Sequence, residues 1–315
     1  MKALVLTAPR RLEIRDVPVP DIGDDEVLVR VRACTVCHTD LDIFAGVRQW
    51  DGGPPNLFGH EVTGIVEAAG SAVTHIAPGD RVLLRMTRTG FAEYCKTKGS
   101  HAVVLPPSIG FEEGAIAQLL PIAIRGVEKS VRTGDTMFIS GAGPAGMLCA
   151  QVARAYGASR VIVADLHDLR LRRVIDLAAN VGINAATEDV VRRVREESNG
   201  RGADVCIECA GVEASFRNCE QGVRNGGSLV VFGTHLKPVI LDLLDWESRS
   251  LSLIIAREQP DETPELLRKA VEFVEAGVIL LRPLLTHVFP LHRAQEAFDL
   301  LLTDPARAVK VAILP

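Results

Sequence analysis

Residues 136–146 read TMFISGAGPAG, an apolar run followed by three glycines, Gly141, Gly143 and Gly146, with Pro144 and Ala145 between the last two. A helical pattern, PAGMLCAQVARAYG, starts at Pro144. Strand, glycine turn and helix in this order give each glycine a physical task. The first allows a tight turn, the second lets a pyrophosphate approach the backbone, and the third lets helix and strand pack closely, with the phosphates at the positive helix N-terminus. The next apolar run, SRVIVADL, carries Asp165, 22 residues beyond Gly143. A carboxylate there would accept hydrogen bonds from both ribose hydroxyls of NAD and repel a 2′-phosphate, so NAD is favoured over NADP. Arg170, Arg172 and Arg173 follow closely and offer a 2′-phosphate a partner.

Outward from this turn the chain divides. Downstream, the helix RLRRVIDLAANVG, the strand ADVCIECAG, a helix around ASFRNCEQGVRNGG and the strands SLVVFG and LSLIIA alternate. Wholly apolar strands alternating with helices are what a doubly wound parallel sheet of the Rossmann type requires. Upstream, KALVLT, EVLVRVRAC, EVTGIVEAAG and DRVLLRM are short β-rich runs bounded by Pro, Gly and Asp, and predict a β-barrel. After the helix PELLRKAVEFVEAG, the last thirty or so residues return to strand-and-loop character and close on AVKVAILP. The tail is expected to rejoin the barrel. The expected division is therefore 1–118 with 284–315 as one discontinuous domain and 119–283 as the nucleotide domain, with the site in the cleft between them. No internal repeat or low-complexity segment is present.

A chain of 315 residues with 47% hydrophobic content suits two globular domains. Its net charge of −5 is spread along the sequence without a basic block, which argues against nucleic acid as a partner. The N-terminal segment lacks the layout of a signal peptide and no apolar run reaches spanning length, so neither a membrane nor export is expected and the cytoplasm is. Seven scattered cysteines argue for reduced thiols rather than a disulfide framework.

Two segments carry metal chemistry. ACTVCHTDLDIF, residues 33–44, holds Cys34, Cys37, His38, Asp40 and Asp42; FGHEVTG, residues 58–64, holds His60 and Glu61, 23 residues beyond Cys37. A catalytic zinc takes about three protein ligands from Cys, His and carboxylate and keeps one position open. Cys37, His60 and Glu61 supply that donor set.

With CHTDLDIFAG, GHEVTGIVEAAG, PGDRV, SGAGPAG, GADVCIECAG and the KVAILP close in this order, the chain resembles the zinc-dependent medium-chain alcohol and polyol dehydrogenase family over essentially its whole length. The resemblance implies a GroES-like barrel domain and a Rossmann domain. It implies that Cys37 and His60 ligate zinc and that Glu61 is a ligand exchanging with substrate or water. Thr39 would touch the zinc-bound alcohol and pass its proton through the cofactor ribose, Asp40 would hold the tautomer of His60, and His38 would lie near the cofactor pyrophosphate. Arg170 resembles an arginine covering the adenosine end.

Two departures stand out. Aligning QLLPIAIRGV with the family's Glu-Pro-Leu-Ala segment puts Gln118 where relatives carry Cys or Glu, a weaker donor that resembles the Cys, His, Glu and Gln set of some glucose dehydrogenases. Between PGDRV and GFAEY only LLRMTRT stands where relatives insert four cysteines around a structural zinc, so one zinc per chain is expected. A homo-oligomer, dimer or tetramer, is expected.

Other residues are read as packing. Cys206 and Cys209, inside one strand, would point to opposite faces, and Cys34 is read as a core thiol. His75, His101, His235, His287 and His292 have no partner recognisable in the sequence. Trp50 and Phe91 either line a pocket or pack. The reading is a zinc-dependent, NAD-linked oxidoreductase of an alcohol or polyol. Its rivals are a zinc-free quinone or enone reductase of the same superfamily and a non-catalytic dinucleotide-binding protein.

Overall fold

The structure, a computed structural model, describes residues 1–49, 56–85 and 87–315. Trp50 and Met86 therefore lie outside the described residues, as does most of the loop around 47–57. The chain divides into two compact units, 1–120 with 260–315 and 121–259.

In the first unit β1 (Lys2–Ala8) and β2 (Arg11–Asp16) form an antiparallel pair. The main sheet is built on β3 (Glu26–Thr35), whose Val27, Val29 and Val31 are buried while Arg30 and Arg32 are exposed, the period-two alternation of a strand with one face on a core. After β3 comes the helix α1 (His38–Phe44). The strands β4 (Glu61–Ala69), β5 (Arg81–Leu84), β6 (Tyr94–Lys98) and β7 (Ala102–Val104) follow, then α2 (Phe111–Gly114) and a 3-10 turn over Ala115–Leu119; α3 (Leu120–Glu128) carries the chain into the second unit.

The second unit begins its sheet with β8 (Thr136–Ser140), then α4 (Pro144–Ala155), β9 (Arg160–Asp165), α5 (Asp168–Leu177), β10 (Val181–Asn184) and α6 (Val190–Glu197). It continues with β11 (Ala203–Glu208), α7 (Glu213–Gly222), β12 (Val223–Val231), α8 (Leu243–Ser248) and β13 (Ser252–Ile255). All pairings are parallel, in the order β10-β9-β8-β11-β12-β13. The chain builds outward from β8 in one direction and from β11 in the other, so the strand order reverses between them, at the end of β8 where the glycine turn leaves the sheet.

The remaining elements, α9 (Thr263–Glu275), β14 (Leu285–Pro290), α10 (Ala294–Thr303) and β15 (Lys310–Leu314), belong to the first unit. Its sheet runs β14-β15-β3-β4-β5-β7, with β6 also paired to β3. The end of β15 lies against the end of β3, Ala312 opposite Thr35 and Ile313 opposite Cys34. Phe298 of α10 packs against Phe44, Phe58 and Phe91 at centroid distances of 5.0–5.7 Å, so Phe91 is a core residue.

Five details depart from the sequence reading. The helix expected through Gly182 ends at Leu177, because Val181–Asn184 pairs with β9. The helix expected to 227 ends at Gly222, and β12 begins at Val223 opposite Ala203. The tail holds α10 as well as strands; Ala294, Ala297, Phe298 and Leu301 are buried at helical spacing within an otherwise polar stretch. Cys209 lies one residue past β11 rather than within it. The stretch 260–283 clusters with the first unit, α9 lying against β7 and the 3-10 turn. Among the described residues no helix is long and apolar enough to cross a membrane.

Candidate functional site

Two strand ends meet at the candidate metal centre. Cys37 follows β3 and caps α1, His60 precedes β4, and Glu61 opens β4 opposite Thr35. The turn into His60 needs a glycine, since Gly59 has φ +96° and a Cβ there would sit 2.8 Å from the Phe91 ring. Cys37 Sγ, a His60 ring nitrogen and a Glu61 oxygen all lie within 4.8 Å of one another. Zinc bonds of about 2.0–2.3 Å in a tetrahedron separate ligand atoms by about 3.4–3.7 Å, so the cluster fits a zinc after small side-chain adjustments.

The surroundings match that donor set. Asp40, fully buried, accepts from the Cys37 amide at 2.8 Å and places its other oxygen 3.5 Å from His60 Nδ1, where no donor satisfies it. This arrangement leaves His60 Nε2 for a metal. Burial disfavours the imidazolium of His60, but Asp40 and then Cys37 more than offset it, raising its proton affinity well above the ordinary histidine range. Gln118, on the 3-10 turn that lies against β4, is buried with an unsatisfied side-chain oxygen. A buried carbonyl without a donor costs free energy unless a cation or water meets it.

Sequence reasoning missed the partners of Glu61. One oxygen accepts from Lys310 Nζ at 2.8 Å, the other bonds the Thr35 hydroxyl, and Lys310 also donates to the Val36 carbonyl at 3.0 Å. Lys310 and Glu61 are both buried. Burial opposes the charge of Lys310, yet Glu61 and then Cys37 hold its proton more firmly than an ordinary lysine does. Only the strand-like KVAILP was visible in the sequence; the register of β15 on β3 brings Lys310 to Glu61, 249 residues away in the chain.

Thr39 is half-buried on the first turn of α1, and His38 is exposed with its ring 3.6 Å from Asp42. Cys34 is fully buried in β3, where burial first and then Asp40 push its thiol well up, as expected of a core thiol. Burial likewise pushes Cys95 to about 12.

In the second unit, Gly141 has φ +110°, and a Cβ on Gly146 would lie 1.8 Å from the Gly141 carbonyl oxygen. Gly143 is open: the one neighbour of its virtual Cβ within 4 Å is Arg170 Nη1 at 3.9 Å. Gly143 caps α4 without a side-chain cap, and Pro144 fills the first helical position, with Ala145 following. The result is an unblocked helix N-terminus beside a guanidinium, a cradle that fits a pyrophosphate. Asp165 accepts from the Ala142 amide at 2.7 Å and the His167 amide at 2.9 Å, which fixes the carboxylate at the end of β9 with acceptor capacity to spare.

A second omission is Glu208, buried at the end of β11. It accepts from the amides of Ala210 and Gly211 and from His235 Nε2 at 2.9 Å, tying together the loops after β11 and β12. No local spacing announces that pair. Cys209 lies against Cys149 and Cys206 against Cys219, so each thiol of the CIEC segment has its own neighbour. His75 bonds the Gly99 carbonyl, and His287 stacks on Phe289.

Two family models match: alcohol dehydrogenase GroES-like domain over residues 23–130 and zinc-binding dehydrogenase over 144–272. Sorbitol dehydrogenase of Homo sapiens is 30% identical, the alignment covering 94% of this chain and 91% of that protein. Among solved structures, alcohol dehydrogenase TADH from Thermus sp. ATN1 superposes with a TM-score of 0.91 at 26% identity, covering 100% of this chain and 99% of that one. A zinc-binding dehydrogenase from Sinorhizobium meliloti bound to NADP gives 0.89 at 28%, with the same coverage. A GroES-like unit carrying a Cys-His-Glu cluster, a Rossmann unit with an open glycine turn and this full-length similarity place the chain in the zinc-dependent medium-chain alcohol and polyol dehydrogenase family, as an oxidoreductase of alcohols or polyols.

Proposed function

We propose that the protein transfers a hydride between NAD and an alcohol or polyol at one zinc per chain, held by Cys37, His60 and Glu61 with Gln118 as a fourth donor. The observation that carries this reading is the convergence of the three donor atoms within 4.8 Å, with the buried Gln118 oxygen unsatisfied. When bound, zinc supplies a Lewis acid for the substrate oxygen and NAD the hydride acceptor.

The chain's own residues do the rest. Asp40 holds His60 by Nδ1. Thr39, half-buried two residues from Cys37, would accept the proton of the substrate hydroxyl while passing its own on through the cofactor ribose. Gly141, Gly143 and Gly146 shape the turn for the pyrophosphate, with His38 near it, Arg170 covers the adenosine end, and Asp165 receives the ribose hydroxyls. The unit formed by the two chain ends carries the substrate chemistry and residues 121–259 carry the cofactor. The Asp165 carboxylate supports NAD over NADP.

The same reading has the protein working in the cytoplasm as a homo-oligomer, dimer or tetramer. Seven free cysteines support the first, and the half-exposed Leu253 and Ile255 on the edge strand β13 support the second.

The test is zinc per chain by elemental analysis together with alcohol or polyol oxidation, before and after mild chelation and in Cys37→Ser. We expect one zinc, lost with activity on chelation and restored by zinc, and a fall in kcat/KM of about 10²–10³-fold or more in the variant. Full turnover without zinc would overturn the zinc reading and favour the zinc-free reductase.

A further inference from the structure

Glu61 is expected to serve as a zinc ligand, yet its carboxylate is already engaged on both oxygens by side chains of its own unit. Lys310 Nζ is 2.8 Å from Oε1 and 2.5 Å from Oε2, and the Thr35 hydroxyl is bonded to Oε2 as well. The lysine is anchored in turn by the Val36 carbonyl at 3.0 Å and sits in a strand paired on both sides. All three side chains are buried. A buried carboxylate facing a metal but lacking a competing cation would bind it firmly; one paired with a buried ammonium must share its charge.

We propose that Lys310 is a positioning residue that keeps Glu61 a detachable ligand, and that Thr35 assists it. The inference rests on the reading of Cys37, His60 and Glu61 as zinc ligands. Charge bookkeeping supports it in both states. With zinc present, the metal and Lys310 carry three positive charges against the three negative charges of the Cys37 thiolate, Glu61 and Asp40. Without zinc, Lys310 still faces Glu61, so that carboxylate keeps a cation beside it. Removing the lysine therefore leaves an anionic excess that only the metal can relieve. A merely structural lysine would, on removal, loosen the centre and weaken the metal. The proposal gives the opposite sign.

The experiment loads the full chain with zinc or with Co²⁺ and follows metal release to excess chelator, with the cobalt absorption bands reporting ligand number. Lys310→Met is expected to release metal about ten- to hundredfold more slowly than wild type and to shift the cobalt spectrum toward an added carboxylate ligand. Thr35→Val, which keeps the ion pair and is nearly isosteric, is expected to slow release about threefold, the effect of one lost hydrogen bond of less than 1 kcal/mol. It carries the test if Lys310→Met does not fold. Unchanged or faster release in the folded variants, with an unaltered spectrum, would overturn the proposal. Wild type that takes up no metal, or holds it equally well in Cys37→Ser, would overturn the zinc reading itself, an outcome distinct from the first.

Discussion

The metal centre and the nucleotide turn solve opposite problems. At the centre, side chains from the ends of β3, β4 and β15 are delivered to one point and held by buried charge: Asp40 on His60, Lys310 and Thr35 on Glu61. At the turn, side chains are excluded, so that the backbone of residues 141–146 can bend tightly and leave Gly143 open. The first depends on which donor or charge each position carries, so even a change that keeps the shape is felt. The second depends on the absence of a methyl group and tolerates none at Gly146.

The largest expected effect tests that intolerance. In Gly146→Ala, the new Cβ would start 1.8 Å from the Gly141 oxygen, so the helix must move away from the strand. A stability loss of about 3 kcal/mol in urea unfolding, with NADH binding lost, is expected; retained NADH affinity would show that the turn has slack. The intermediate effect lies at the metal centre. Asp40→Asn preserves shape but removes the charge facing His60, and should weaken zinc about ten- to hundredfold in chelator competition without lowering the yield of folded protein. If zinc affinity stays at the wild-type value, Asp40 serves α1 alone. The smallest effect belongs to Asp165→Asn. The amide still accepts through its oxygen but no longer repels a phosphate, so NADH binding should fall about tenfold and the preference over NADPH should narrow. Fluorescence titration with both nucleotides decides it, and an unchanged preference would move the discrimination elsewhere.

The same contrast explains what could be read from the sequence. The turn was fully legible, since strand, glycines, helix and Asp165 lie within thirty residues and their roles are set by backbone geometry. Cys37, His60 and Glu61 were legible as donor types, and the resemblance made them a set, but their convergence requires the Thr35–Glu61 register that no local pattern encodes. Lys310 and the Glu208–His235 pair were invisible, because each partner sits on a different strand or loop and looks alone like an ordinary charged residue. Two misplaced helix ends, in 170–182 and 214–227, have one cause. Short strands that begin directly after a helix, at Val181 and Val223, extend its apolar pattern, and pairing with β9 or β11 decides the matter. The missed α10 shows the reverse case, a helix whose buried stripe was masked by polar neighbours.

The position of β15 also sets an order in time. The second unit is one continuous segment, 121–259, and can complete its sheet as soon as it leaves the ribosome. The first unit begins earlier but finishes last, because the strand between β14 and β3 is made from residues 310–314. Until residues 310–314 have been made, Glu61 exists without the cation that will neutralise it, and the edge of β3 that β15 will cover stays open. The candidate metal centre is therefore at its most exposed, and the Glu61 carboxylate at its most available, before β15 has been made.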